Sequence, residues 1–151
     1  QAGFLPRYGV DITLIQEASS GDMSIQSLET FEEQFRLFDS LNREEGTYLL
    51  RDALDEQGEV RRLFRNLRDA WMSRDLETLE SLTLEAEGEN QDFYEDVFVN
   101  RNHKWTEELL SMLSEQQGPI FVAVGAGHLL GDDSVIRMLE KEGYEVSRIR
   151  G

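Results

Sequence analysis

The stretch that decides the predicted fold is FVAVGAGHLLG, residues 121–131. Apolar and β-forming residues fill positions 120–124 without polar alternation, as in a strand that is covered on both faces. Gly125 and Gly127 follow, where the missing Cβ permits a tight turn or a close approach of the backbone. This pattern predicts that His128 lies at the carboxyl end of a buried strand, where open α/β sheets bind their ligands.

A helix is predicted directly after this turn. Asp132, Asp133 and Ser134 are all suitable N-caps. The residues after them have helical spacing: Val135, Ile136, Met138 and Leu139. Gly143 is expected to end the helix, and 144–149 has the composition of a last strand. Strand, glycine turn and helix together form half of a βαβ unit.

Amphipathic patterns upstream predict a succession of helices. Thr30 and Glu33 form a capping box, and Phe31, Phe35 and Phe38 follow at the i, i+4, i+7 spacing of a helix face. Further helices are predicted over 11–18, 42–56, 60–71, 75–84 and 90–117, the last as one helix or as two that meet near residue 100. These segments predict a helical layer over about residues 30–117.

Strand-like composition is confined to the segments 23–28, 119–125 and 144–149. We therefore predict an α/β fold with α+β-like segregation, in which a small mixed sheet of about three or more strands accompanies a large, mostly helical insertion. Sheets average about five or six strands. The chain is thus expected to form a single partial domain, 1–151, of a larger sheet domain, or to pair with a second copy through an exposed sheet edge.

The composition excludes several classes of partner and site. The formal net charge is −16, with 31 acidic and 15 basic residues, which disfavours nucleic acid and anionic membrane surfaces because both select basic patches. The absence of cysteine excludes disulfides and thiolate metal sites. No apolar run approaches the roughly 18 residues of a membrane helix, so no membrane insertion is expected in this segment.

A few polar residues have the chemistry of a site. His128 can ligate a metal or act as acid or base, and Glu29 follows the predicted strand 23–28, where its carboxylate could reach the same crevice. Arg101, Asn102 and His103 form a polar cluster, in which the arginine can anchor an anion or pair with Glu29. A structural hydrogen bond or ion pair is the alternative role for each of these residues.

Three segments together resemble the TraB/PrgY/GumN family, which includes the Tiki proteins. They are SLETFEEQFRLFD (27–39), RNHKW (101–105) and FVAVGAGHLLGDDSVIRMLEKEGYEV (121–146). Two Gly-x-x-His motifs and a glutamate mark this family, and its Tiki members are metal-dependent peptidases that act on Wnt. Residues 125–128 match the second motif. The resemblance implies that Gly125 and His128 are site residues, with Mn²⁺, Co²⁺ or Zn²⁺ as the cofactor.

The chain departs from the family at the first Gly-x-x-His motif, which has no counterpart here. His103 is preceded at the required spacing by Asn100. We therefore expect the C-terminal portion of a metal-dependent hydrolase or peptidase-like protein that is inactive as this segment. The parent is expected to be extracytoplasmic or attached to a membrane.

The predicted site residues are the following. The catalytic candidates are His128, which is also the candidate metal ligand, and Glu29, and the ligand-binding candidates are Gly125, Gly127, Arg101 and Asn102. By the same resemblance, Glu29 and Arg101 match recurrent positions of the bacterial members of the family. The alternative function is a non-catalytic module that binds a peptide or a small-molecule ligand.

Overall fold

A computed structural model describes residues 5–39, 57–86, 91–115 and 118–149. The chain divides into two compact units, Gln1–Leu50 and Arg51–Gly151. The first unit contains the helices α1 (Val10–Ser20) and α2 (Phe31–Asp39). The second contains α3 (Gln57–Ser73), α4 (Leu76–Ala86), α5 (Gln91–Tyr94), α6 (Asn100–Glu115) and α7 (Val135–Lys141). Short 3₁₀ turns lie at Pro6–Tyr8 and Ala126–Leu129, and a π-helical turn spans Glu95–Val99.

The predicted α/β fold with a small mixed sheet is wrong for the described residues, which are predominantly helical and contain no strand. The segments 23–27, 119–125 and 144–149 run without regular secondary structure. Their composition favours an extended backbone, but a strand also needs a neighbour with which to form a ladder. Phe121 is 78% exposed, so the apolar run is not covered on both faces. Pairing of two copies through a sheet edge stays a prediction, without a described sheet to support it.

The described helices include none with the length and apolar character needed to span a bilayer.

The predicted capping box at the start of α2 is confirmed. The Thr30 N–H donates to Glu33 Oε2 at 2.8 Å, and the Glu33 N–H donates to Thr30 Oγ1 at 3.2 Å. Each side chain thus satisfies a backbone donor that the first turn leaves open. The phenyl rings of Phe31 and Phe35 contact each other at 4.4 Å between centroids but remain exposed. The helix predicted over 42–56 lies outside the described residues.

Helices α3 and α4 form a hairpin in the second unit. Arg74 turns the chain between them with a left-handed φ of 63°, and the Asp75 N–H donates back to the Ala70 carbonyl at 3.0 Å. Ala70 and Leu79 are the buried apolar residues of the two helices. The predicted helices over 60–71 and 75–84 are therefore confirmed, with ends that lie within three residues of the predicted ones.

Asp75 caps α4, and its pKa makes the cap sensitive to acid. Its Oδ1 accepts the Thr78 N–H at 3.0 Å and its Oδ2 accepts the Thr78 hydroxyl at 2.7 Å. The bond from the Thr78 backbone, followed by that from its side chain, lowers the pKa of Asp75 below its ordinary value. Because the lowered pKa belongs to the folded state, this stabilisation is present above the unfolded-state pKa and is lost as the pH falls through the folded-state pKa.

We expect Asp75→Asn to be less stable than the wild-type chain at neutral pH, because the amide cap lacks the carboxylate charge. The difference should shrink as the pH falls from about 4 towards about 2, through the lowered folded-state pKa, because the wild-type carboxylate then becomes protonated as well. Urea unfolding of both proteins, followed by circular dichroism across this range, measures the difference. A difference that stays constant with pH would contradict the assignment.

The region from α5 to α6 is one continuous helical run. Tyr94 and Asn100, which flank the π-helical turn, both have right-handed helical φ and ψ angles. The prediction for 90–117 left one helix or two open, and the described residues form one helix with a widened turn before residue 100. Such turns shift the residues that follow them around the helix axis and are frequent at functional sites. Here the turn contains Phe98 and α6 contains Asn102 and Trp105, the three residues that contact His128 in the candidate site described below.

Helix α7 begins and ends as the sequence predicts. Ser134 is its N-cap and accepts the Arg137 N–H at 3.3 Å. Gly143 has a φ of 89°, and the Tyr144 N–H reaches back to the Leu139 carbonyl at 3.1 Å, which is the usual arrangement after a helix with a left-handed glycine. The buried apolar residues of α6 and α7 form the core beneath the candidate site: Trp105, Leu109, Val135 and Met138.

Candidate functional site

The candidate site is built around the imidazole of His128, which lies in the 3₁₀ turn Ala126–Leu129. The turn is closed by the His128 N–H, which donates to the Gly125 carbonyl at 3.0 Å. His128 is 7% exposed, and its ring contacts two aromatic rings, with centroid distances of 4.3 Å to Trp105 and 4.8 Å to Phe98. Packing against two rigid rings fixes the plane of the imidazole.

Asn102 holds His128 through a hydrogen bond across 26 residues of sequence. Its Oδ1 lies 2.7 Å from His128 Nδ1, and its Nδ2 donates to the Asp133 carbonyl at 2.8 Å. The opposite orientation of the amide would place two acceptor oxygens against each other at Asp133. Asn102 Oδ1 therefore faces the imidazole. Because this oxygen can only accept, His128 Nδ1 carries the proton and donates it to Oδ1.

This hydrogen bond determines which nitrogen of His128 can react. In the neutral ring one nitrogen is protonated and the other carries a lone pair. Because Nδ1 donates to Asn102, the lone pair lies on Nε2. An imidazole oriented in this way through its second nitrogen is the usual form of a histidine that ligates a metal, and it is also the form that accepts a proton as a general base.

Trp105 and Arg101 continue the cluster on α6. The Arg101 guanidinium carbon lies 4.8 Å from the centre of the Trp105 ring, and its Nη1 donates to the Val97 carbonyl at 3.0 Å. The Trp105 indole N–H is buried and has no hydrogen-bond acceptor among the described residues. A buried donor of this kind suits the oxygen of a bound group or of an ordered water.

The two glycines of the motif differ in their surroundings. A Cβ at Gly127 would lie 2.7 Å from Phe98 Cε1 and 3.1 Å from Thr83 Cγ2, so the helices leave no room for a side chain. A Cβ at Gly125 would meet only His128 Cδ2, at an ordinary 3.6 Å. The close approach predicted for the glycines is thus found at Gly127, while Gly125 lies beside the ring carbon that is bonded to Nε2.

The structure brings some of the predicted site residues together. Arg101, Asn102, Gly125, Gly127 and His128 lie in one cluster of the second unit, connected by the contacts above. Glu29 belongs to the other unit, where it accepts a hydrogen bond from Gln34 Nε2 at 3.4 Å. Its place in the site and its pairing with Arg101 stay predictions.

Sequence reasoning missed Phe98 and Trp105 as partners of the imidazole. Phe98, Asn102 and Trp105 are spaced i, i+4, i+7, and all three contact His128. That spacing places residues on one helix face. The sequence therefore did contain a signal for these partners, namely an aromatic residue, an amide and a second aromatic residue on one helix face.

The described residues do not form a complete metal site. In this part of the chain, no group of three or more His, Cys, Asp or Glu residues lies together in a way that could hold a metal ion. His128 is a suitable single ligand, because its other nitrogen is hydrogen-bonded to an oriented amide. Protein metal sites need at least three convergent ligands, so the rest would have to come from outside the described residues.

The sequence profile of the TraB/PrgY/gumN family matches residues 1–148. This chain belongs to that family. The family resemblance inferred from the three sequence segments is thus confirmed, and the match includes the residues of the His128 cluster. No solved structure shows significant similarity to the chain.

The relatives of this TraB/PrgY/gumN chain include metalloproteases. A metalloprotease TIKI homolog of Amphimedon queenslandica is 28% identical over 93% of the chain, and one of Nematostella vectensis is 25% identical over 93%. Metalloprotease TIKI1 of Danio rerio is 42% identical over 36% of the chain. The chain spans about a third of the length of the first two, at 32% and 36%.

Proposed function

We propose that this chain contributes His128 to the active site of a metal-dependent hydrolase of the peptidase type. The observation that carries the proposal is the hydrogen bond from His128 Nδ1 to Asn102 Oδ1 at 2.7 Å. It leaves the lone pair on Nε2, the nitrogen that would bind a metal or accept a proton. The similarity to TIKI metalloproteases supports the same class of chemistry.

In this proposal each residue of the cluster has a role. His128 Nε2 is the metal ligand or the general base, and Asn102 is a positioning residue that keeps the ring in the required tautomer. Gly125 leaves space beside the Nε2 edge of the ring, and Gly127 allows the turn to approach Phe98. A divalent cation such as Mn²⁺, Co²⁺ or Zn²⁺ supplies Lewis acidity when it is bound. Glu29 remains a candidate carboxylate for the same reaction.

The described residues supply one imidazole ligand, so we expect weak metal binding by this chain and no turnover by it alone. Isothermal titration with Mn²⁺, Co²⁺ and Zn²⁺ in excess Mg²⁺ measures the binding while suppressing non-specific association with the acidic surface. His128→Ala is expected to weaken binding at least about tenfold, and Asn102→Leu by about tenfold to a hundredfold.

His103 offers a matched control for this titration. It is the other histidine of the chain, it is exposed, and it lies on α6 one residue from Asn102. His103→Ala should bind each metal as the wild-type chain does. Equal binding by wild type and His128→Ala would remove the metal assignment.

A second candidate function is a non-catalytic module that binds a peptide or a small molecule. The buried Trp105 N–H, which has no acceptor among the described residues, favours it because this donor suits a carbonyl or carboxylate oxygen of a ligand. A ligand that binds equally well to wild type and to His128→Ala, without added metal, would favour this function over the hydrolase.

A further inference from the structure

Helix α3 carries a concentration of positive charge in an otherwise acidic chain. Residues 61–73 contain four arginines and one aspartate, a net charge of +3. Since the whole chain carries −16, the remaining residues carry −19. Arginines 61, 62, 65 and 68 are all exposed. A solvated face of an acidic protein does not need such a segment, because scattered charges of either sign keep a surface soluble.

The spacing of the arginines aligns three of them. Arg61, Arg65 and Arg68 are related by i, i+4, i+7 and therefore share one face of α3. Leu63, Leu67 and Ala70 occupy the opposite side, where Ala70 is buried. The three positions thus form a row about 10 Å long from first to last, from the rise of 1.5 Å per residue. Arg68 Nε and Nη2 both donate to Asp69 Oδ1, at 2.9 and 2.7 Å, so Arg61 and Arg65 are the arginines that we assign to a ligand.

Exposed apolar side chains lie beside this row. Phe64 is 48% exposed, Trp71 is 62% exposed and Met72 is 75% exposed. Helical geometry places Met72 in line with the arginines and places the two aromatic residues along one edge of the row. Arginine, tryptophan and methionine are the residue types that dominate protein interfaces. We call the surface formed by Arg61, Phe64, Arg65, Arg68, Trp71 and Met72 the α3 face.

We propose that the α3 face binds a short acidic peptide segment of a partner protein. Carboxylates at alternate positions of an extended peptide repeat about every 7 Å, which is close to the rise of about 6 Å between helix positions i and i+4. Guanidinium groups pair with carboxylates through two parallel hydrogen bonds. Apolar residues of the same peptide would cover Trp71 and Phe64.

An anionic membrane fits the α3 face less well. Arginine with exposed aromatic residues also occurs on helices that lie on membranes, but a planar anionic surface would meet the acidic remainder of the chain as well. That repulsion acts over a Debye length of about 8 Å at physiological salt. A peptide is narrow enough to contact the row of arginines alone.

The proposal is tested with a fluorescein-labelled heptapeptide that has acidic residues at alternate positions and leucine or phenylalanine between them. Fluorescence anisotropy measures its binding to the wild-type chain and to Arg61→Glu/Arg65→Glu. We expect the variant to bind at least about tenfold more weakly, and wild-type binding to weaken similarly in about 0.5 M sodium chloride. A peptide with uncharged glutamine at the acidic positions should not bind.

Two further variants separate local from general effects. Arg36→Glu/Arg148→Glu changes two exposed arginines outside α3 and lowers the net charge by the same amount, so it should bind like wild type. Arg61→Gln/Arg65→Gln removes the two positive charges without reversing them. It replaces the glutamate variant in the anisotropy measurement if that variant does not fold, and it should also bind more weakly than wild type. Trp71→Ala should weaken binding and abolish any shift of tryptophan emission on binding, since Trp105 is 5% exposed.

Several results would overturn the proposal. They are equal binding by wild type and by the folded α3 variants, equal binding of the glutamine peptide, or binding of phosphatidylserine vesicles without binding of the acidic peptide. Loss of thermal stability in both α3 double variants, with no peptide binding by wild type, would show instead that Arg61 and Arg65 act within the fold of the chain, as Arg68 does with Asp69.

Discussion

Replacing Asn102 with leucine is expected to lower the free energy of unfolding by about 3 kcal/mol, since each buried polar group left without a partner costs about 1–3 kcal/mol. The substitution leaves the buried His128 Nδ1–H without its acceptor and the half-buried Asp133 carbonyl without its donor. Asn102 is 2% exposed, so water does not readily replace the amide. Chemical unfolding followed by circular dichroism measures the change.

Asn100 provides the control on the same helix. It is exposed and donates to Asp96 Oδ1 at 3.2 Å, so Asn100→Leu should change stability by no more than about 0.5 kcal/mol. Asn102→Asp should fall between the two leucine variants because it keeps the acceptor for His128 but loses the donor to Asp133. Equal stability of Asn102→Leu and Asn100→Leu would refute the central role of this hydrogen bond.

Gly127→Ala is expected to destabilise the chain by about 2 kcal/mol, within the range of about 1–3 kcal/mol for overpacking. The new methyl group would lie 2.7 Å from Phe98 Cε1 and 3.1 Å from Thr83 Cγ2. Phe98 cannot move away freely because its ring also contacts His128. Thermal unfolding, together with the position of the His128 ring resonances, reports both the loss of stability and the displaced imidazole.

Gly125→Ala is the matched control, two residues earlier in the same motif. Its φ of −57° and ψ of 140° suit alanine, and the nearest atom lies 3.6 Å from the added Cβ. We expect a change within about 0.5 kcal/mol, or a small gain from the less flexible unfolded chain. If both substitutions destabilised equally, the packing argument for Gly127 would fail.

The contrast between these glycines bears on the family motif. Gly125 is the glycine of the Gly-x-x-His pattern, yet the described packing requires the absence of a side chain at Gly127. Beside His128, Gly125 is open enough to accept alanine. Under the proposed function, Gly125 leaves room for a metal or a ligand to reach His128 Nε2. Gly125→Ala should therefore affect ligand or metal binding more than stability.

Local signals in the sequence predicted the helices that the structure describes. The capping box of Thr30 and Glu33, the N-cap Ser134 and the left-handed Gly143 act within a few residues of the chain, and all are found in the structure. Periodicity placed α3 and α4 for the same reason, because a helix satisfies its backbone within one segment.

The sheet was predicted from composition, and the described residues contain no strand. Residues 119–125 have the composition of a buried strand, but a strand forms only against a neighbour, and pairing is not local in sequence. Phe121 is exposed in consequence. The composition of residues 119–125 favours an extended backbone, but no neighbouring strand among the described residues pairs with it.

The candidate site was predicted in part. His128 followed from its position after the glycines, and Asn102 and Arg101 from the polar cluster near Trp105. Their connection spans 26 residues and depends on how α6 packs against the turn, which no local pattern specifies. The i, i+4, i+7 series of Phe98, Asn102 and Trp105 marked one helix face, but not the imidazole that it contacts.

The tautomer of His128 tests the account most directly, because the proposed role of its Nε2 depends on Asn102 accepting a proton from Nδ1. Long-range ¹H–¹⁵N correlation NMR at about pH 8, where an ordinary histidine is neutral, distinguishes the two nitrogens. We predict a protonated Nδ1 and an unprotonated Nε2 in the wild-type chain, and a mixture of tautomers in Asn102→Leu. A proton on Nε2 of the neutral wild-type ring would contradict the account.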